Sequence, residues 1–156
     1  MKNLLKLIFL FCMQIGFAQD LLEVKSEIFN GVIIVAESNY SKQIEGLKLF
    51  TPTEKEIFEL EEVITDIQNK KNAKASRHIH SKIEFNDYVR QYEGYYLGGQ
   101  SGEKVILVNF FPKEIVEKRR LKWKSEVLDY RNVENSIAMN FIVDRQEFYE
   151  LWMGGE

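Results

Sequence analysis

The period of the apolar positions changes several times along the chain, and each change marks an element. The chain opens on basic Lys2 and Lys6, then the continuous apolar stretch Leu7-Ile8-Phe9-Leu10-Phe11-Cys12-Met13, then Gly16-Phe17-Ala18. A basic start, a short apolar run and small residues at the two positions a signal peptidase reads are the layout of an export signal, with cleavage expected before Gln19. The run is too short to span a bilayer, which takes roughly 20 residues. Val32-Ile33-Ile34-Val35-Ala36 is β-branched and continuous, bounded by Gly31 and Glu37-Ser38-Asn39, and reads as a strand buried on both faces.

The continuous apolar run then gives way to steps of three and four. Ile57, Leu60, Ile64 and Ile67, with Val63 beside them, define one face of an amphipathic helix of about five turns ending near Lys70-Lys71-Asn72. Thr51 is its expected N-cap, with Pro52 in the first turn and Glu54 completing a capping box. Phe58 lies off the stripe, and Glu61, Glu62 and Asp66 are assigned to the solvated face. Residues 70–82 are basic, polar and small, as in a connection.

From Tyr88 the pattern alternates again. Tyr88, Arg90, Tyr92, Gly94 and Tyr96 share one face of a strand, and Val89, Gln91, Glu93, Tyr95 and Leu97 the other. A turn at 98–102 leads into Val105 to Phe111, apolar on both faces except Asn109, so this hairpin's second strand is expected to be central. Pro112 ends it. Further strands are expected over Trp123 to Tyr130 and over Ser136 to Val143. Asp144 with Glu147 reads as a second cap, which would start a short final helix facing the core with Phe148, Leu151 and Trp152. The expected fold is a single α+β domain over 19–156: one long helix packed on a curved antiparallel sheet of about five strands, as in cystatin-like or similar rolls, closed by a short C-terminal helix.

Composition narrows the chemistry. Removing residues 1–18 takes away Lys2 and Lys6 and leaves 19 basic against 24 acidic side chains, a net charge of −5. That balance argues against a dedicated nucleic-acid binder. It also takes away Cys12, the only cysteine, so thiol catalysis, cysteine-ligated zinc and disulfides are all excluded from the mature domain. A lipid anchor on Cys12 is disfavoured by bulky Phe11 before it. No transmembrane segment is expected after signal cleavage. Asn39-Tyr40-Ser41 matches the N-glycosylation tripeptide, relevant only in a eukaryotic secretory route.

The segment Arg90-Gln91-Tyr92-x-Gly94-Tyr95, followed by Gly102-Glu103-Lys104-x-Ile106-x-x-Asn109-Phe110, resembles a recurring core of small exported bacterial α+β proteins. The likeness covers about twenty residues and implies a fold and an extracytoplasmic location, with no activity attached. Cystatins carry Gln-x-Val-x-Gly in their inhibitory loop. Gln91-Tyr92-Glu93-Gly94 is one residue shorter and lacks the valine, so no inhibitor site is carried over.

Three constellations carry candidate chemistry. Tyr88, Arg90, Tyr92 and Tyr96 combine stacking surface with a guanidinium, as an aromatic groove for a peptide, glycan or anion would; the competing reading is a sheet face covered by the helix. Gly94 within that strand marks a bulge or a close approach. Arg119, Arg120 and Trp123, in the run Lys118 to Lys124, interleave cations with an aromatic and suit an acidic partner, against a plain solvated loop. His78 and His80 fall on one side of a strand and would need Glu84 or Asp87 to bind zinc, but Lys70, Lys71, Lys74 and Arg77 repel a cation there, so no metal is assigned. No cofactor motif, metalloprotease motif or nucleophile elbow occurs; Gly99-Gln100-Ser101-Gly102 lacks the required spacing. The reading is an exported, non-enzymatic binding module whose partner is an extracytoplasmic protein or a small ligand. An inhibitor or immunity protein acting on a protease or toxin, and a small hydrolase or isomerase, stand behind it.

Overall fold

The computed structural model describes residues 20–36, 38, 46–69, 83–98 and 102–155. The leader, the Asn39-Tyr40-Ser41 tripeptide, the connection 70–82 with His78 and His80, and turn residues 99–101 lie outside the described residues.

The elements are β1 (Leu21–Lys25), β2 (Asn30–Ile34), β3 (Leu49–Phe50), α1 (Glu54–Gln68), β4 (Tyr88–Leu97), β5 (Glu103–Pro112), α2 (Lys113–Lys118), β6 (Ile137–Ile142) and β7 (Glu147–Met153). All seven strands form one sheet in the order β1-β2-β4-β5-β6-β7, with β3 also on β4. The expected single helix on about five antiparallel strands is therefore corrected: the fold is mostly sheet, and the sheet is mixed. β2 runs parallel to β4, pairing Gly31 with Arg90 and Ile33 with Tyr92. Parallel neighbours need a crossover, and α1 lies within the connection that provides it.

α1 is 15 residues long, shorter than its apolar stripe suggests. Its capping box sits two residues later than Thr51 and Glu54. The Thr53 hydroxyl accepts from the Glu56 amide at 3.2 Å, and Glu56 Oε2 accepts from the Thr53 amide at 2.8 Å. Thr51 instead accepts from the Ala36 amide at 3.1 Å, tying the helix approach to the end of β2. Ile57, Leu60, Val63, Ile64 and Ile67 are all buried, as the stripe requires. They pack on Ile33, Tyr92, Ile106, Val108, Phe110, Met139 and Phe141 to make the main core.

Two further expectations change. Residues 123–130 form turns and irregular backbone, so the predicted strand there is absent. The predicted C-terminal helix is β7, antiparallel to β6. A bulge explains the misreading: Asn140 faces Glu150 while the next residue, Phe141, faces Phe148, leaving Tyr149 as an extra residue. That insertion puts Phe148 and Leu151 on one face at a spacing of three, which imitates a helix.

Segment 113–135 covers the second face of the sheet. Val116 and Val133, with half-buried Leu121, Trp123, Leu128 and Tyr130, pack on Val89 and Phe111. Trp123 and Val127 also seal Leu21, Val32 and Ile34. Gly94 is the close approach expected of it: a Cβ there would lie 2.5 Å from the Phe50 carbonyl oxygen. Among the described residues no helix is long and apolar enough to cross a membrane.

Candidate functional site

β4 divides its chemistry between two environments because its side chains alternate. On the helix side, Arg90 and Tyr92 are buried. The Arg90 guanidinium meets Glu61 Oε1 at 2.8 Å, and Tyr92 donates its hydroxyl to the same oxygen at 2.7 Å. Arg90 also donates to the carbonyls of Tyr88 and Phe85, and lies over the Phe29 and Phe110 rings at 5.6 and 5.5 Å. Burial pushes the Glu61 carboxyl up and Arg90 pulls it back, with burial prevailing. Burial also drives the Tyr92 phenol well up. Glu61 is thus a core residue and not part of the solvated face.

The second face carries a polar strip where an apolar one is the rule. Gln91, Glu93, Asn109 and Asn140 are all buried there. Gln91 pins the cover: its side-chain amide donates to the Trp123 and Glu126 carbonyls, both at 2.7 Å, and its oxygen accepts from the Leu128 amide at 2.9 Å. One cross-strand row runs Glu93, Leu107, Asn140, Glu150 over four strands. Neither carboxyl oxygen of Glu93 has a hydrogen-bond partner, and burial pushes its pKa up to about 7. The acid form is the one an apolar site tolerates.

At its β7 end the strip opens into a groove of about 530 Å³ walled by Tyr95, Leu107, Tyr130, Asn140, Tyr149, Glu150 and Trp152, with Leu47 and Leu97 at its edge. That volume falls within the range of small-ligand sites. The bulge aims Tyr149 into the same space as Glu150, the use to which bulges beside functional sites are put. The Tyr95 and Tyr149 hydroxyls lie 2.9 Å apart, and the Asn140 amide donates to the Tyr149 hydroxyl and to Glu150 Oε2, both at 3.0 Å. Burial, with the neighbouring Tyr149, drives the Tyr95 phenol upward, so Tyr95 is a neutral donor and acceptor at physiological pH.

Within the Tyr95–Tyr149–Asn140 network both amide hydrogens are used and one tyrosine hydroxyl serves the other, leaving one O–H; the Tyr130 hydroxyl and the Trp152 indole N–H are further donors among the lining residues. Acceptors remain on the carboxylate and on the phenols, while Asn140 Oδ1 is buried away from the recess without a partner. A ligand with a donor for the Glu150 carboxylate and an apolar face for the rings fits this groove.

The residues singled out from sequence scatter. Arg90 and Tyr92 are core under α1, as the covered-face reading has it. Tyr88 and Tyr96 are half-buried at opposite ends of β4, Tyr88 beside a second cavity with Glu84, Asp87 and Lys113, and Tyr96 against Phe50 with ring centroids 5.2 Å apart. Arg119 and Arg120 are exposed beyond α2, with Arg119 donating to the Asn132 carbonyl at 3.0 Å. Trp123 plugs the second-face cover, and Lys124 above it pairs with Glu23 at 2.9 Å. The structure does not bring these seven residues together. The groove residues were missed; Tyr95 was visible as the aromatic on the far side of β4, but Tyr149 becomes its neighbour only through the bulge.

Among the described residues no three histidine, cysteine or acidic side chains cluster as a metal site would need. No family model matches this chain, and neither the curated proteins nor the solved structures gave a match to it.

Proposed function

We propose that the protein is an exported, non-enzymatic binding module whose ligand lies in the groove between the β7 bulge, Tyr95 and Trp152. One observation carries the reading: a bulge places Tyr149 so that two phenols, an amide and a carboxylate form one hydrogen-bonded network in the wall of an aromatic recess. Preformed polar groups set in an apolar concavity are the usual build of a ligand site. The leader sequence supports an extracytoplasmic place of work.

A binding role is favoured over catalysis by the position of Glu93, whose carboxyl is pushed up to about 7. Glu93 is 1% exposed and is not among the residues lining the groove, whereas a general acid or base must reach its substrate. The test is a backbone amide chemical-shift titration of the full chain against a panel of neutral oligosaccharides, basic peptides and acidic peptides. The reading expects shifts clustered at Leu47, Tyr95, Leu97, Asn140, Tyr149 and Trp152. Shifts confined to the α1 side, or to the Arg119–Arg120 loop, would contradict it.

A further inference from the structure

We infer that the groove selects a cationic group, the ammonium or guanidinium of a basic peptide side chain; this rests on the reading of the groove as the ligand site. The first support is the charge of the lining. Among the described residues, Glu150 is its only charged side chain, and no lysine, arginine or histidine lines the groove. The second is how the neighbouring acids are treated. Glu147, three residues earlier in β7, and Glu103 are both met by Arg145, and Asp129 is met by Arg131 at 2.6 Å. Glu150, among the described residues, holds only the Asn140 amide. This carboxylate, on an exposed residue, is met by a neutral donor and by no cationic side chain among the described residues.

The third support is the surroundings. Tyr95, Tyr130, Tyr149 and Trp152 wall the same recess, and aromatic faces attract a cation through their quadrupoles. The Glu150 carboxylate offers acceptors at the wall, which fits an ammonium with three donors or a guanidinium with five, neither carrying an acceptor. An anion would meet a carboxylate and no compensating charge. A neutral polyol would satisfy the acceptors but make no use of the carboxylate's charge.

The experiment uses the full chain and three probes: tetralysine, the same peptide with every side-chain amine acetylated, and a neutral maltohexaose, each followed by Trp152 and Tyr149 resonances. Tetralysine is expected to bind, to weaken as salt is raised, and to lose about tenfold in affinity in Glu150→Gln, which keeps the Asn140 bond but not the charge. Glu117→Gln, on the exposed side of α2, is the control and keeps full affinity. Acetylated peptide or maltohexaose binding the groove as tightly as tetralysine, or an unchanged affinity in Glu150→Gln, overturns the cationic assignment while leaving the groove as the site. No probe shifting the groove resonances overturns both.

Discussion

The two faces of the central sheet handle buried polarity in opposite ways. Under α1 a guanidinium, a carboxylate and a phenol are grouped in a dry core, with Glu61 ion-paired to Arg90 and accepting from Tyr92. Under segment 113–135 the polar groups are only partly matched: Gln91 uses its whole side chain on the cover, while Glu93 and Asn140 Oδ1 keep acceptors without partners. A matched network fixes one packing, whereas the Glu150 carboxylate and the phenols beside the open recess are what a ligand can use. On the proposed function, the first face serves stability and the second recognition.

The comparison breaks most severely at Arg90. Arg90→Met strands the Glu61 carboxylate in the core, and loss of one partner of a buried pair costs about 3–5 kcal/mol, read by urea denaturation. Glu93→Gln acts in the opposite direction. The folded state raises this carboxyl to about 7, so its stabilising contribution is complete below the unfolded value near 4.5 and is lost as pH rises through 7. The glutamine variant should match the wild type at pH 4 and exceed it by about 3 kcal/mol above pH 7. A constant difference between the two across that range would mean that Glu93 is not held in its acid form.

Gln91→Leu is next. It leaves the Trp123 and Glu126 carbonyls and the Leu128 amide without their partner, at about 2 kcal/mol. Hydrogen exchange should quicken over 123–128 and stay unchanged in α1. Smallest is Phe58→Ser at the 40%-exposed edge of α1, expected within about 0.5 kcal/mol of wild type by thermal melting.

Much of the first face was legible in the sequence, and for a physical reason. Helical period places Ile57, Leu60, Ile64 and Ile67 without reference to distant residues, and alternation places Tyr92 and Ile106 on one side of their strands. Even the close approach at Gly94 left a mark, because nothing but a missing side chain fits against the Phe50 carbonyl. The second face depends on what periodicity omits. The β7 bulge interrupts the alternation and turns a strand into an apparent helix. Gln91, 32 residues from Trp123 and 37 from Leu128 along the chain, gives no local sign that it holds a loop. Glu61 looked solvated because its partners come from β4, so that helix position can be read only with the fold in hand.

The central claim, that the first face stabilises and the second recognises, is tested most directly by deleting the same hydroxyl from each. Tetralysine affinity is measured for Tyr92→Phe and Tyr149→Phe under conditions where both are folded. The account predicts wild-type affinity for Tyr92→Phe, whose hydroxyl serves only Glu61 in the core, and a loss of about tenfold for Tyr149→Phe, whose hydroxyl joins Tyr95 to Asn140 in the groove wall. Equal affinities in the two variants, or the larger loss in Tyr92→Phe, would contradict it.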